Sequence, residues 1–327
     1  MEVDPSKPLT IWAVSDGRAG IENQVLGLAQ AIARLAPSEI AVKRVAWRRW
    51  ADRLPSMLKI APRRMLAKGS DPLSPPWPEV WIAAGRATLP LSINARRWSR
   101  GRTLVVQLQD PRWPTRLFDM VIPPEHDEVE GDNVFPILGS PHRVTPARLD
   151  EARARFARLA ALPSPRCAVL IGGRSKVFDL SDAHAAALAD QIARAVGSAG
   201  GSAMVTFSRR TPPSAAEALR ARLSSLAGEV WDGVGDNPYF GYLAYADHIL
   251  VTEDSTNMAV EAAATRKPVH ILPLEGGAPR FARLHQALEA RGVSRRFEGT
   301  LNAWSYEPLD ETGRAARAVL EAMAARG

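Results

Sequence analysis

One stretch limits the folds open to this chain more than any other: Val251 to Leu274, VTEDSTNMAVEAAATRKPVHILPL. It reads as buried strand, polar turn, small-residue helix and second buried strand, a crossover that belongs in an open parallel α/β sheet. Thr252, Glu253, Asp254, Ser255 and Thr256 crowd the turn, Met258 to Ala264 is rich in alanine and must pack closely, and Pro268 stops the helix before Val269 to Leu272. In such a sheet ligands sit at the carboxyl ends of strands, where the next helix offers unpaired N–H groups and a partial positive charge. Ser255 and Thr256 stand at that point.

The same alternation runs through the rest of the chain. Leu9 to Val14 predicts a strand, Ser15 to Gly20 a glycine-bearing turn and Val25 to Leu35 a helix. Val80 to Ala84 predicts a strand ending in Gly85 and Arg86, with a helix over Thr88 to Arg97. Thr103 to Leu108 ends in Gln109, Asp110, Pro111 and Arg112; Phe118 to Ile122 ends in Pro123, Pro124, Glu125, His126 and Asp127; Val134 to Leu138 is expected to close this half. After a helix over Thr145 to Ala161, the Pro163, Ser164, Pro165 cluster marks the expected domain boundary. A second series follows: strand Cys167 to Ile171 with loop Gly172 to Lys176, helix Ser181 to Val196, and strand Ala203 to Phe207 with the tail Ser208, Arg209, Arg210, Thr211. It continues through a helix at Ala215 to Leu226, an edge at Glu229 to Trp231, a helix at Tyr239 to Tyr245 and a strand at His248 to Thr252, and ends in helices near Arg280 to Ala290 and Thr312 to Ala325.

A length of 327 residues suits two domains of roughly 150 residues each. We expect residues 1–162 to form an amino-terminal Rossmann-like domain and 163–327 a carboxyl-terminal one, with the terminal helix free to pack back on the first. Hydrophobic residues at 46% and charged residues at 24% fit a globular chain and exclude a disordered one. The single cysteine, Cys167, lies in an apolar run, so an intrachain disulfide is impossible and a buried strand residue is expected. Residues 1–10 lack a basic segment followed by an apolar stretch, and no run of about eighteen apolar residues occurs, so the expectation is a cytoplasmic chain.

The net charge of +7 suits an anionic partner. It is concentrated between Lys43 and Lys68, where Lys43, Arg44, Arg48, Arg49, Arg53, Lys59, Arg63, Arg64 and Lys68 face Asp52 alone and are interleaved with Trp47, Trp50, Leu54, Met57, Leu58, Ile60, Met65 and Leu66. This pattern fits an amphipathic helix on an anionic bilayer, or a surface helix whose apolar face enters the core. A nucleic-acid partner is not expected, since no aromatic and basic platform lies on a recognisable module.

Ile171 to Ser175, IGGRS, puts two glycines after a buried strand, where bare backbone can approach a phosphate and Arg174, Ser175 and Lys176 add donors. It is neither a P-loop nor the dinucleotide fingerprint, and a tight structural turn is the competing reading. Ser208, Arg209 and the Ser255, Thr256, Met258 turn are expected on the same edge. Glu261, five residues beyond Thr256, could accept hydrogen bonds from ribose hydroxyls or could be a solvated helix glutamate. Asp16, Asp110, Glu125 and Asp127 could each take a proton or cap a helix. His126 lies beside two carboxylates but has no second histidine at ligand spacing, and no metal site is expected. No GxSxG elbow is present.

Together WAVSDGRAGIENQVLGLAQA, IAAGRATLPLS, VVQLQDPR, FDMVIPPEHD, NVFPILGSPHRVTP, VLIGGRS and TEDSTNMAVEAAATRKPV resemble the bacterial relatives of the plant mitochondrial-fission "elongated mitochondria" family, over most of Trp12 to Leu274. The resemblance implies a GT-B glycosyltransferase-like fold, two Rossmann-like domains facing across a cleft. The carboxyl half is also similar to the peptidoglycan lipid-intermediate N-acetylglucosaminyltransferase. That similarity implies a diphosphate at Gly172, Gly173 and Ser175, a nucleotide at Ser255, Thr256 and Met258, and a ribose on Glu261. It matches the acceptor-side loop of those enzymes to Asp16, Gly17 and Gly20. Where that loop carries a histidine, this chain has Glu22, Asn23 and Gln24, so the resemblance does not assign the base.

The reading of the sequence is therefore a metal-independent glycosyltransferase without a cofactor. It would move a sugar from a nucleotide diphosphate donor, held by Gly172, Gly173, Arg174, Ser175, Ser208, Arg209, Ser255, Thr256, Met258 and Glu261, to a membrane-associated acceptor. Gly17, Gly20, Asn23, Gly85, Arg86 and His126 form the expected acceptor side, with Asp16 or Asp110 as base, at the inner face of a membrane. The alternative is a non-catalytic membrane-surface adaptor that keeps the fold.

Overall fold

A computed structural model describes residues 7–326; the first six residues, on which part of the expectation about a leader rests, lie outside that range. In chain order the main elements are β1 (Leu9–Ser15), α1 (Ala19–Leu35), β2 (Ser38–Arg44), β3 (Val80–Ala84), α2 (Leu89–Trp98), β4 (Leu104–Leu108), β5 (Met120–Ile122), α3 (Pro146–Arg155), β6 (Arg166–Ile171), α4 (Asp182–Ser198), β7 (Ser202–Phe207), α5 (Pro213–Leu223), β8 (Ala227–Val230), α6 (Tyr239–Tyr245), β9 (His248–Thr252), α7 (Thr256–Ala263), β10 (Val269–Leu272), α8 (Pro279–Ala290), β11 (Ser294–Arg296) and α9 (Glu311–Ala324). They form two compact units, Met1–Arg143 with Asp310–Gly327, and Val144–Leu309.

The first unit carries a parallel sheet in the order β2-β1-β3-β4-β5. Its strands β3 and β4 are buried along their whole length, as strands covered on both faces must be. One face is covered by α1, through Val25, Leu28 and Ile32, and by α9, through Ala315, Ala316 and Val319. The other packs Trp12 and Trp81 against Leu89, Leu91 and Ala95 of α2. The second unit carries a parallel sheet in the order β11-β10-β9-β6-β7-β8. Counted within that unit, this is strand order 6-5-4-1-2-3, the doubly wound arrangement whose direction of winding reverses between its first strand, β6, and its fourth, β9.

Several expectations change. The domain boundary falls at Arg143/Val144 rather than at 162/163. The reason is that α3 packs on α6: Arg153 Nη2 donates to the Ala244 carbonyl at 3.1 Å, the Tyr245 hydroxyl donates to the Arg153 carbonyl at 3.0 Å, and the Arg148 guanidinium lies 4.3 Å from the Phe240 ring centre. The Pro163–Pro165 cluster is stitched to the start of β7 instead of acting as a linker, for Ser202 donates its N–H to Pro165 and its hydroxyl to Pro163. The helix after β1 starts at Ala19, so Gly20 and Asn23 belong to α1 and not to the turn before it. Val134 and Ile137 make only isolated bridges to the β5 region, because prolines at 123, 124 and 136 deny a ladder its donors.

The Lys43–Lys68 segment is not one amphipathic helix. Lys43 and Arg44 end β2, and Pro55 and Pro62 cut the remainder into single turns at Arg49–Asp52, Ser56–Leu58 and Pro62–Met65. Among the described residues no helix is long and apolar enough to cross a membrane.

Candidate functional site

The reversal of winding in the second unit places the loop after β6 beside the loop after β9, with the loop after β7 next to both. The end of β9 fixes the glycine loop directly. Thr252 Oγ1 accepts the Gly172 N–H at 2.7 Å, and Asp254 Oδ2 accepts the Gly173 N–H at 3.0 Å. Ser208 and Thr211 both donate their hydroxyls to the Gly172 carbonyl, and the Arg174 N–H donates to the Arg210 carbonyl. Three of the sequence's polar loops are thus one hydrogen-bonded unit.

The glycines serve this closeness. A Cβ on Gly172 would overlap the Asp254 carboxylate, and one on Gly173, at φ +145°, would meet the Arg210 carbonyl at 2.5 Å. Asp254 has a fully enclosed side chain and pairs with Arg210 at 2.7 Å, while its Oδ1 has no hydrogen-bond partner among the described residues. The bare backbone of Gly172 and Gly173 is therefore approached by the chain's own carboxylate and hydroxyl, where the sequence suggested a phosphate. Donors toward an anion at this edge come instead from exposed guanidinium groups and from the start of α7. Arg209 is exposed, and Arg174 is exposed with its Nε 2.8 Å from Asp179. Ser175 turns the loop by accepting the N–H groups of Val177 and Phe178.

Ser255 caps α7, its Oγ accepting the Met258 N–H at 3.4 Å, and Thr256 begins the helix half-buried. Two turns of small side chains, Ala259, Ala262 and Ala263, let α7 lie tightly on the sheet. Glu261 on this helix is only 6% exposed, so it is not a solvated glutamate. The Tyr239 hydroxyl at the start of α6 donates to its Oε2 at 2.5 Å. Burial first, and then the adjacent carboxylate, push the Tyr239 phenol well above its ordinary range, which keeps it a donor. Tyr239 escaped the sequence reading because only the packing of α6 beside α7 gives it a role; the PYFGY cluster was its one local signal.

In the first unit the candidate residues lie at the carboxyl ends of β1, β3, β4 and β5. Gly17 at φ +77° and Gly85 at φ +81° make the left-handed turns that only glycine takes readily. Ile21 of α1 lies 3.5 Å from a Cβ placed on Gly85, so the first turn of α1 packs on the β3 loop. Arg86 is exposed and Asn23 half-buried. Asp16 is held by Arg18, its Oδ1 accepting the backbone N–H at 3.1 Å and its Oδ2 the Nε at 2.7 Å. Asp110 accepts the Arg112 N–H at 2.7 Å, with Arg112 Nε 3.8 Å from its other oxygen. Each preferred base is thus already engaged by the arginine two residues on.

Glu22 receives Arg44 through two hydrogen bonds, 2.7 and 2.9 Å, and that guanidinium holds its carboxyl below the usual range. It is ionised at neutral pH and fixed at the head of α1. Gln109, at φ +68°, donates to Gln24 at 2.8 Å and ties the β4 loop to α1, a link with no local signal in sequence. His126 is buried with Nε2 3.9 Å from Asp127, and no group of three or more His, Cys, Asp or Glu residues among those described could hold a metal. Cys167 is fully buried in β6, and desolvation pushes its thiol up to about 12, which leaves it a packing residue.

A family-wide sequence profile described as Mitochondrial fission ELM1 matches residues 19–323. The chain belongs to that family. A curated member of similar sequence is the Mitochondrial fission protein ELM1 of Arabidopsis thaliana, 31% identical over 278 residues, which are 76% of this chain and 65% of the plant protein; the chain thus matches just under two thirds of that relative's length. An uncharacterised protein of Rickettsia prowazekii is 24% identical, with 95% of this chain and 98% of that one aligned. Among solved structures, the UDP-GlcNAc 2-epimerase of Methanocaldococcus jannaschii in complex with UDP-GlcNAc and UDP superposes with a TM-score of 0.56 at 12% identity, covering 98% of this chain and all of that one. At that identity the likeness concerns the fold, which is α/β with two Rossmann-like units of the GT-B type.

Proposed function

We propose that the chain is a GT-B-type glycosyltransferase whose second unit takes a nucleotide diphosphate sugar at the β6/β9 reversal. The observation that carries this reading is the buried Glu261 carboxylate behind the start of α7. Its Oε2 accepts the Tyr239 hydroxyl, and a carboxyl at this sheet edge is a suitable acceptor for the hydroxyls of a ribose. The α7 N-terminus, Arg174 and Arg209 would meet the diphosphate, stabilising the charge that grows on it as the sugar leaves, without a metal. The M. jannaschii epimerase binds UDP-GlcNAc, so UDP sugars are the first donors to try. The acceptor would sit on the loops of the first unit, with Asp16 or Asp110 taking its proton after release from Arg18 or Arg112.

The test is calorimetry against UDP, ADP, GDP and CDP sugars. Saturable binding by one of them, weakened about 10- to 100-fold in Glu261→Gln as a charged hydrogen-bond acceptor is lost, supports the reading. Absence of binding by every nucleotide overturns it. A second reading, a non-catalytic adaptor, is favoured by the Asp254 carboxylate resting on the Gly173 N–H and by the arginine pairing of Asp16 and Asp110. Nucleotide binding without release of the nucleoside diphosphate in the presence of acceptor lipids or sugars would favour that adaptor.

A further inference from the structure

The segment between β2 and β3 does not bury the apolar residues it carries. Of the eight large hydrophobic side chains that are exposed among the described residues, four lie between positions 50 and 60: Trp50 at 57%, Met57 at 70%, Leu58 at 54% and Ile60 at 85%. From this stretch Ala51, Pro62 and Met65 are buried, with Leu54, Trp47 and Leu66 partly covered. Pro55 and Pro62 force this outcome, since they break the segment into single turns that cannot set all the apolar residues on one inward face. Clustered exposed apolar side chains mark an interaction surface.

The charge around them is of one sign. Arg48, Arg49, Arg53, Arg63 and Arg64 are all exposed, and Asp52 is the one acid among them. Lys59 is not part of this rim, because its ammonium turns inward to the Leu54 carbonyl at 2.5 Å and over the Trp47 ring. A cleft of about 280 Å³ opens between Met57 and the loops after β3 and β4, walled by Leu89 and Trp113 and carrying Arg86 and Arg112. It is slightly below the roughly 300 Å³ at which small-molecule pockets begin, room for a phosphate headgroup and too little for a nucleotide sugar. Among the described residues the Arg86 guanidinium has no ion pair or hydrogen bond, and the Arg112 guanidinium has Asp110 only at 3.8 Å.

We infer that residues 48–64 are the surface by which this protein sits on an anionic phospholipid bilayer, with Trp50, Met57, Leu58 and Ile60 entering the acyl boundary and a lipid phosphate seated between Arg86 and Arg112. Exposed apolar side chains within a cationic rim suit a surface that is anionic outside and hydrocarbon beneath. A second protein would need a complementary acidic rim and a matching hollow. The surface lies wholly within the first unit, so the inference is independent of the nucleotide reading.

The full chain is tested by co-sedimentation with phosphatidylcholine vesicles, with and without phosphatidylglycerol, in the absence of nucleotide. Binding is expected only when phosphatidylglycerol is present and should fall as salt rises. Trp50→Ser/Met57→Ser/Ile60→Ser alters exposed side chains only, so it should melt as the wild type does and lose binding at least tenfold. Arg49→Glu/Arg53→Glu should lose more than about thirtyfold, the effect of removing two surface cations. Arg86→Ala/Arg112→Ala should weaken binding to phosphatidylglycerol vesicles by about tenfold or more, as the two cations of the phosphate seat are lost. Glu261→Gln should bind vesicles as the wild type does, which separates this result from any failure of nucleotide binding. Equal binding of the wild type and the serine variant overturns the inference. So does a wild type that ignores vesicles and self-associates in solution through residues 50–60.

Discussion

At the scale of single residues, the structure's clearest departure from expectation is what the two glycines after β6 are for. Their missing side chains make room for Asp254, so Gly172→Ala should destabilise the second unit by about 1–3 kcal/mol through overpacking, read as a lower urea midpoint. Gly69, with open space around it, should accept alanine without that loss. A second residue-scale prediction concerns the buried pair His248 and His270, whose Nδ1 and Nε2 lie 3.2 Å apart. Burial first, then His248 and Arg295, pull His270 down to about 4 from 6.5, and burial lowers His248 as well. A histidine depressed in the folded state leaves the unfolded chain binding more protons, so its contribution is full above pH 6.5 and is lost as pH falls toward 4. The loss should be of order 3 kcal/mol for His270. Urea titrations at pH 7 and pH 5 should show about 2 kcal/mol of that loss in the wild type, and His270→Gln should flatten the difference.

At the scale of elements, α9 is the test of how the first unit is built. Ala315, Ala316 and Val319 close the core over Leu28 and Ile32, while Thr312 receives the His142 N–H and Glu311 the Leu138 N–H. Ending the chain at Leu309 should therefore uncover an apolar face of α1 and leave the first unit expanded, seen as dye binding and loss of near-UV circular dichroism. The second unit should be spared. Removing the α7 cap with Ser255→Ala should cost about 1 kcal/mol of stability and should also weaken any anion held at that helix start, so the two effects are separable by titration with nucleotide.

Most of these elements were legible because their signals are local. The strand-turn-helix pattern of β1, β3, β6, β7 and β9 is written in short apolar runs followed by Gly, Ser or Asp, and a buried parallel strand needs such a run. What failed were elements defined by their neighbours. Ser38–Arg44 alternates exposed and half-covered residues at a sheet edge without a buried apolar run, and only its last two residues, Lys43 and Arg44, enter the sequence reading, as the start of the basic segment. Ser294–Arg296 has too few apolar residues to be seen before β10 pairs with it.

At the scale of the whole molecule, the boundary at Arg143/Val144 makes a prediction of its own. A fragment of residues 144–309 should fold, whereas one beginning at 163 should not, because it lacks the α3 residues Arg148 and Arg153 that pack on Phe240 and bind the Ala244 carbonyl of α6. Circular dichroism and a cooperative thermal transition distinguish them, and the folded fragment should retain nucleotide binding.

Val251 to Leu274 shows where the two sources of information divide. By itself the sequence determined that this stretch is strand, polar turn, tight helix and strand, because propensity, the Ser255 cap and Pro268 act within a few residues. It also determined that Gly-Gly, SRRT and this turn share one sheet edge, since alternating strands and helices leave a parallel sheet little choice. Only the tertiary structure decided that Asp254 fills the space beside the glycines, that Tyr239 stands on Glu261, and that four apolar side chains near Ile60 face outward. Each of those outcomes depends on which distant segments share a volume, and no local pattern carries that information.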